Sequence, residues 1–189
     1  MNVMTPGPRA AQRLNHVEFV HRPGERALVF ALFDLLGFKT YEVWDGQIVI
    51  GVIDPPTFDE ADNENVLTGC EVRTEQWAFD QALEKALRQQ PLAEPYAGYQ
   101  GLLAQYPHWG MHFGIRLHSP EKWEAAVACF ADVEKHAPAL KERVRLMKVF
   151  RPGDADAPGG LRQAFVWTDV IASGSLALGQ RIELTTVVT

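Results

Sequence analysis

One pattern occurs twice in this chain of 189 residues, and it constrains the fold more than any other feature. A short apolar strand that carries a single histidine is followed by a turn and then by a helical segment. The first copy places His16 in the segment 14–20, and the second places His112 in the segment 110–117. Further strand-like segments follow each copy. The sequence therefore predicts two successive modules, each with one strand, one helix and three more strands.

Local signals support this reading and set the predicted boundaries. Gly37 is a typical residue at the end of a helix, and Asp45-Gly46 is a strong signal for a tight hairpin turn. Ser119-Pro120 is a typical start of the second long helix. We therefore predict four parts: a flexible tail at residues 1–13, a first module at 14–73, a helix and linker at 74–107, and a second module at 108–189.

Composition narrows the class of partner. The net charge of -6 disfavours a nucleic acid, which requires a basic surface. The sequence contains no run of 18 apolar residues, so we predict no membrane span. Residues 1–13 lack the apolar core of a secretory signal. The two cysteines, Cys70 and Cys129, give no disulfide framework. We expect a cytoplasmic protein that acts on a small molecule, without a nucleic acid or membrane partner.

The two ends of the repeated region resemble a known family. Leu-Asn-His-Val at 14–17 and Leu-Leu-Gly-Phe at 35–38 are similar to the opening strand and helix of the vicinal oxygen chelate superfamily. Phe-Val-Trp-Thr-Asp at 165–169 and Ile-Glu-Leu at 182–184 resemble its closing strands. That superfamily includes glyoxalases, extradiol dioxygenases, epimerases and bleomycin-resistance proteins. The resemblance implies an α+β fold in which two βαβββ modules form an open, barrel-like mixed sheet around a central metal or ligand cavity.

The resemblance also implies a metal site. Its ligands would be His16 and His112, from the first strand of each module, and Glu183, from the last strand of the second module. Glu71 is the candidate for a fourth ligand, although a shift of one residue in its strand would turn its side chain outward. Many proteins of this shape pair their modules across a dimer, so a homodimer is expected by analogy.

The number of ligands separates two kinds of chemistry. Two imidazoles and one carboxylate leave adjacent open positions, which suits iron(II) that must bind a substrate and dioxygen together. A fourth ligand at Glu71 would instead favour zinc or nickel and a proton-transfer reaction. Ligand type alone does not choose between these metals and manganese, and we favour iron(II).

Three charged residues share strand faces with the predicted ligands, and they are candidate catalytic residues. Glu18 lies two residues from His16, Arg116 four residues from His112, and Arg181 two residues from Glu183. Either arginine could hold an anionic or enolate substrate. Equally, Glu18 and Arg116 could form a structural ion pair. The sequence leaves these alternatives open.

Three functions fit this pattern. The first, which we favour, is a non-haem iron dioxygenase acting on a small substrate with two adjacent oxygens. The second is a glyoxalase-type lyase, isomerase or epimerase with four protein ligands to the metal. The third is a non-catalytic protein that sequesters a small aromatic or cationic molecule in the same cavity without a stoichiometric metal.

Overall fold

The computed structural model describes residues 14–55, 64–157 and 160–187, so the predicted tail at 1–13 lies outside the described residues. The first module contains β1 (His16–His21), α1 (Arg26–Leu35), β2 (Lys39–Val43), β3 (Ile48–Val52) and β4 (Val66–Glu71). Two helices follow, α2 (Thr74–Leu87) and α3 (Ala93–Gln105). The second module contains β5 (Phe113–Arg116), α4 (Pro120–Ala131), α5 (Val133–His136), β6 (Val144–Phe150), β7 (Leu161–Thr168), β8 (Ile171–Ala172) and β9 (Gln180–Val187).

Each module contributes four strands to a mixed sheet of the same arrangement, and the short strand β8 of the second module pairs antiparallel with β1 at the edge of the first sheet. The first sheet has the order β2-β3-β4-β1-β8, and the second has the order β5-β9-β7-β6. In both modules the first strand pairs in parallel with the last one, β1 with β4 and β5 with β9, while the other long strands pair antiparallel. The predicted α+β fold with two βαβββ modules is confirmed.

Local sequence explains where the elements of the first module begin and end. Gly24 and Gly37 bracket α1 with backbone φ angles of +74° and +79°, which glycine adopts without a steric penalty. Asp45 and Gly46 also have positive φ, and the amide of Gln47 donates to the carbonyl of Trp44 across them. This is the geometry of the tight turn that the Asp-Gly pair predicts between β2 and β3.

One hydrophobic core serves both modules. Alternate strand residues such as Phe19 and Leu67 in the first sheet, and Ile182 in the second, pack against the helices α1 and α4. Trp123 of α4 is fully buried, and its indole Nε1 donates to the carbonyl of Leu184 at 2.8 Å. Each sheet therefore packs one of its faces against the core. Its opposite face is the one on which a ligand could bind.

A network of charges joins the two modules. The guanidinium of Arg143, just before β6, donates two hydrogen bonds to Glu25 at the start of α1, at 2.7 and 3.0 Å. It also donates to Asp169 at 2.6 Å, and Asp169 pairs with Arg22 at 2.9 Å. The hydrogen bonds to Glu25 have the largest effect on Arg143 and raise its pKa above the ordinary value. The hydrogen bond to Asp169 raises this pKa further. The network therefore links the β1–α1 connection to the second sheet.

The segment predicted as a linker after α2 is a helix, and that expectation is corrected here. Residues Ala93–Gln105 form α3, and the single-turn 3₁₀ helix Pro107–Trp109 follows it. Pro95 lies in the first turn of α3, where a missing amide hydrogen costs little. None of the helices in the described residues is long and apolar enough to span a membrane.

Candidate functional site

The first sheet carries a row of side chains on the face opposite α1. Strand register aligns Tyr41, Ile50, Thr68 and Glu18 directly across β2, β3, β4 and β1. The hydroxyl of Thr68 donates to the Glu18 carboxylate at 2.5 Å, which fixes the acid in place. This row forms part of the wall of an open cavity of about 750 Å³, which we call the first-sheet cup. Its volume lies within the range of sites for drug-sized ligands.

The cup combines aromatic, aliphatic and acidic groups. Trp44, in the turn between β2 and β3, leaves 74% of its surface exposed at the rim. Glu42 is held by Arg26, whose Nη1 lies 3.3 Å from its Oε1. None of the described residues that line the cup is Lys or Arg. The lining residues are Asn15, His16, Glu18, Tyr41, Glu42, Val43, Trp44, Ile48, Ile50 and Thr68.

His16 lies in this cup, at the first residue of β1. Its Nδ1 is 2.6 Å from the side-chain oxygen Oδ1 of Asn15, and the residue is exposed. Because a side-chain oxygen of this kind accepts, Nδ1 carries the hydrogen and Nε2 is left as an acceptor in the neutral ring. The structure therefore brings His16 and Glu18 together as polar groups of the first-sheet cup.

His112 and Glu183 meet on the second sheet. His112 Nδ1 donates to the carbonyl of Gly110 at 2.8 Å, and His112 Nε2 lies 3.2 Å from Glu183 Oε2. The other carboxylate oxygen, Oε1, accepts a hydrogen bond from Gln163 at 2.6 Å. The imidazole also packs edge-on against Phe165, with ring centroids 5.4 Å apart. Both side chains are mostly buried, so their relative position is tightly constrained.

This pair supports two kinds of chemistry. When both ring nitrogens carry hydrogen, Nε2 donates to Glu183 and the two side chains form an ion pair. When it is neutral, the hydrogen on Nδ1 leaves the lone pair on Nε2 pointing to the same space as Glu183 Oε2. A histidine whose other nitrogen donates to a backbone carbonyl has the orientation typical of a metal ligand. Gln163 was not predicted from the sequence, and only the pairing of β7 with β9 reveals it.

The structure does not bring His16 to His112 and Glu183. The helix α3 and the turn after it cover the face of the second sheet on which His112 lies: Leu103 is buried beside Gly110, and the His108 ring packs on Phe165. Among the described residues, no three His, Cys, Asp or Glu side chains are close enough to hold one metal ion. The inserted segment 74–107, longer than a plain connection, thus occupies space that a shared cavity would need.

Glu71 is placed far from His16 along the first sheet. The parallel register pairs Glu71 with His21 and His16 with Val66, so five residues separate them, or about 16 Å at ~3.3 Å per residue. The Glu71 carboxylate accepts from the amide of Gly24 at 2.8 Å. It therefore stabilises the turn between β1 and α1, and the structure does not place it as a ligand beside His16.

The two candidate arginines have opposite environments. Arg116, at the end of β5, is exposed to solvent. The ion pair with Glu18, one of the two alternatives that the sequence left open, does not form among the described residues. Arg181, in β9, is 4% exposed, and burial lowers the pKa of its guanidinium below the ordinary value. Strand alternation places Arg181 on the same face as Glu183, because Ile182 between them packs into the core.

Comparison with known proteins assigns neither a family nor an activity to this chain. No family model matches the sequence. No curated protein matches it significantly. The chain is similar to a solved structure described as a possible glyoxalase from Bacillus cereus, with 14% identity and a TM-score of 0.36, over 92% of this chain and 98% of that one. At this identity and TM-score the likeness establishes neither a family nor an activity.

Proposed function

We propose that this protein binds a small aromatic molecule carrying a positive charge, in the first-sheet cup. The observation that supports the proposal is the composition of that cup. The exposed ring of Trp44 offers an aromatic face, and Glu18 supplies a carboxylate that Thr68 holds in place. Neither Lys nor Arg is among the described residues that line the cavity, although the Lys39 ammonium group lies over the ring of Tyr41, 4.8 Å from its centroid. Aromatic faces and a carboxylate together attract organic cations.

The first-sheet cup is open, whereas the corresponding face of the second sheet is covered, and this difference supports the cup as the binding site. That face of the second sheet is covered by α3 and by the aromatic residues Tyr106 and Trp109, which stack on each other with ring centroids 4.5 Å apart. The first-sheet cup has no such cover among the described residues and stays open. Of the three functions that fit the sequence, sequestration of a small molecule therefore requires the least rearrangement of this chain.

The test is titration of the purified protein with benzyltrimethylammonium, an aromatic cation, followed by tryptophan fluorescence and calorimetry. We expect one site per chain. Trp44→Ala removes the aromatic rim, and Glu18→Gln removes the fixed charge. Each is expected to weaken binding by about 1–2 kcal/mol, or roughly 5- to 30-fold. Trp44→Ala loses a cation–π contact, and Glu18→Gln loses the attraction between the carboxylate and the bound cation.

Trp109→Ala is the matched control, because Trp109 is also exposed but lies on the second module. It should leave the affinity unchanged. The neutral isostere neopentylbenzene should bind wild-type protein more weakly than the cation does. Equal affinity of wild type, Trp44→Ala and Glu18→Gln for the cation would rule out the cup as its site.

A metal-dependent enzyme is the second candidate, favoured by the contact between His112 and Glu183. These residues supply two ligands with fixed orientations, but two ligands do not make a complete site, and the described residues add no third within reach. An iron dioxygenase, or a four-ligand lyase or isomerase, therefore requires a further ligand. His16 is the predicted one, and it could reach the pair by rearrangement or from a second copy of the chain in the predicted homodimer.

Elemental analysis of anaerobically purified protein tests this candidate. Near-stoichiometric metal that is lost in His16→Ala, His112→Ala and Glu183→Ala, but kept in Glu71→Ala, would support the three-ligand oxygenase, most clearly if the metal is iron. Loss in all four variants would support the lyase or isomerase. The binding proposal instead expects no stoichiometric metal in the wild type, even after reconstitution with iron(II) or zinc.

A further inference from the structure

We propose that Arg181 forms a second binding site, for a small organic carboxylate, beneath α3 on the second module. The site shares no residue with the first-sheet cup, so the proposal does not depend on the proposed function. It rests on an unpaired guanidinium, on the cavity that it lines, and on the side chains around it.

The guanidinium of Arg181 has one complete edge without a partner. Its Nε and Nη2 atoms are buried, and within the described part of the chain neither has a hydrogen-bond partner. These two nitrogens lie on the same side of the planar group, and their N–H bonds point in nearly the same direction. That edge matches the two oxygens of a carboxylate, which it binds with two parallel hydrogen bonds.

Leaving this charge unpaired is costly. A buried charged group without a hydrogen-bond partner or counter-ion destabilises a protein strongly. The charged and titratable side chains that act most on the Arg181 guanidinium are the phenols of Tyr99 and Tyr96 and the positive charge of Arg145, and none of these carries a negative charge at neutral pH. Arg145 itself lies over the ring of Trp167, 4.4 Å from its centroid. The surroundings of Arg181 therefore lack one negative charge.

Two acidic side chains of this region, Glu183 and Asp80, are engaged elsewhere. Glu183 is held by His112 and Gln163, and Asp80 of α2 accepts a hydrogen bond from the hydroxyl of Ser175. Asp80 is an alternative partner for Arg181, because its other oxygen, Oδ2, is buried without a hydrogen-bond partner among the described residues and Ser175 lines the same cavity as Arg181. The experiment below includes a variant of Asp80 for this reason.

The cavity beside Arg181 indicates the size and character of the anion. Its volume is about 140 Å³, well below the range of drug-sized sites. Tyr99, Met111 and Leu178 contribute apolar surface, while Gly174 leaves open space where a side chain would lie. A planar carboxylate with a short apolar tail fits these walls better than an inorganic phosphate, which would leave them without contacts.

The anion reaches the free edge only if α3 shifts. Nε and Nη2 are closed to solvent, and Leu103 of α3 lies against Gly110 beside Nη1 of Arg181. The helix is lightly held, because Leu103 is its one buried residue. A segment with few buried apolar contacts opens at a low free-energy cost. We therefore expect α3 to be the part of the protein whose protection changes when the anion binds.

The experiment measures thermal unfolding and calorimetric binding with sodium acetate, sodium phosphate and sodium chloride at equal ionic strength. Acetate should bind wild type at one site per chain and raise its melting temperature above the chloride value. Arg181→Met should weaken binding by about 10- to 100-fold, which corresponds to the loss of a charge-assisted hydrogen-bonded pair. This variant should still fold, because replacing a buried unpaired charge with an apolar side chain is often neutral or stabilising.

Arg116→Met is the matched control, since it removes an exposed guanidinium from the neighbouring strand, and it should keep the acetate response. Trp44→Ala should also keep it, which separates this site from the cup. Equal responses of wild type and Arg181→Met, or no effect of acetate beyond that of chloride, would overturn the proposal. A response to phosphate alone would overturn the carboxylate assignment. Tighter binding of acetate by Asp80→Asn than by wild type would support the carboxylate assignment, because it would show that the Asp80 carboxylate competes with acetate for Arg181 in the wild type.

Discussion

Replacing Gly69 with alanine is expected to lower the free energy of unfolding by about 2–3 kcal/mol, as overpacking in a tight core does. Gly69 lies in β4, directly opposite Phe19 of β1. A Cβ atom there would lie 2.4 Å from the carbonyl oxygen of Phe19 and 2.6 Å from its ring. The nearest obstacle is backbone, so β1 and β4 would have to separate. Chemical denaturation with urea measures the loss.

Gly114→Ala provides the comparison for Gly69→Ala. Gly114 lies at the equivalent parallel pairing of the second module, opposite Glu183, and its Cβ would meet the nearest atom, Oε2 of Glu183, at 3.6 Å. That is an ordinary contact, so the change should stay within about 0.5 kcal/mol of wild type. Similar losses in the two variants would show that the close approach of β1 to β4 does not determine the effect.

Gly69→Ala also bears on the cup. Thr68 and Glu18 form their hydrogen bond across the same pair of strands, one residue away. If β1 and β4 separate, that bond lengthens and the fixed carboxylate becomes mobile. The variant should therefore bind benzyltrimethylammonium more weakly even under conditions in which it is fully folded. Gly114→Ala should bind it with wild-type affinity.

The fold could be predicted because its signals are local. Gly37 and the Asp45-Gly46 pair each act within a few residues, and alternation along β1 separates the core residue Phe19 from the cup residue Glu18. The helix α3 could not be predicted in the same way. Pro95, Gly98 and Gly101 lower its intrinsic helix propensity. The contact of Leu103 with Gly110 on the second sheet is not visible in the sequence.

The site was harder to predict, because it depends on which faces meet in space. Strand alternation identifies Arg181 and Glu183 as sharing a face, but it does not reveal that α3 covers that face. Nor does it give the register of β1 on β4, which sets Glu71 about 16 Å from His16. The metal site inferred from the resemblance needs contacts between modules. A single sequence does not specify such contacts, so the metal site is tested through the variants of its predicted ligands.

The second large effect is expected at the junction of the modules. Arg143→Met should lower the free energy of unfolding by about 2–3 kcal/mol, somewhat less than for a fully buried pair, because the ion pairs are partly open to solvent. The change leaves Glu25 and Asp169 facing each other without the guanidinium that holds both. Thermal and urea unfolding, followed by circular dichroism, measure the loss.

Arg145→Met is the control, because Arg145 lies two residues away, is exposed, and its guanidinium lies over the ring of Trp167. This variant should lower the free energy of unfolding by no more than about 1 kcal/mol, which is the contribution of an exposed cation–π contact. A double-mutant cycle of Arg143→Met with Glu25→Gln isolates the bond between the modules, and we expect a coupling of about 1–2 kcal/mol. A coupling near zero would contradict a role for this pair in holding the modules together.

The network also predicts how the protein unfolds. Glu25 and Arg22 belong to the first module, whereas Arg143 and Asp169 belong to the second, so these bonds add to the shared core of α1 and α4. With the core intact, Arg143→Met should still unfold in one cooperative step at a lower denaturant concentration. Two separate transitions would instead mean that the charges, and not the core, make the two modules a single folding unit.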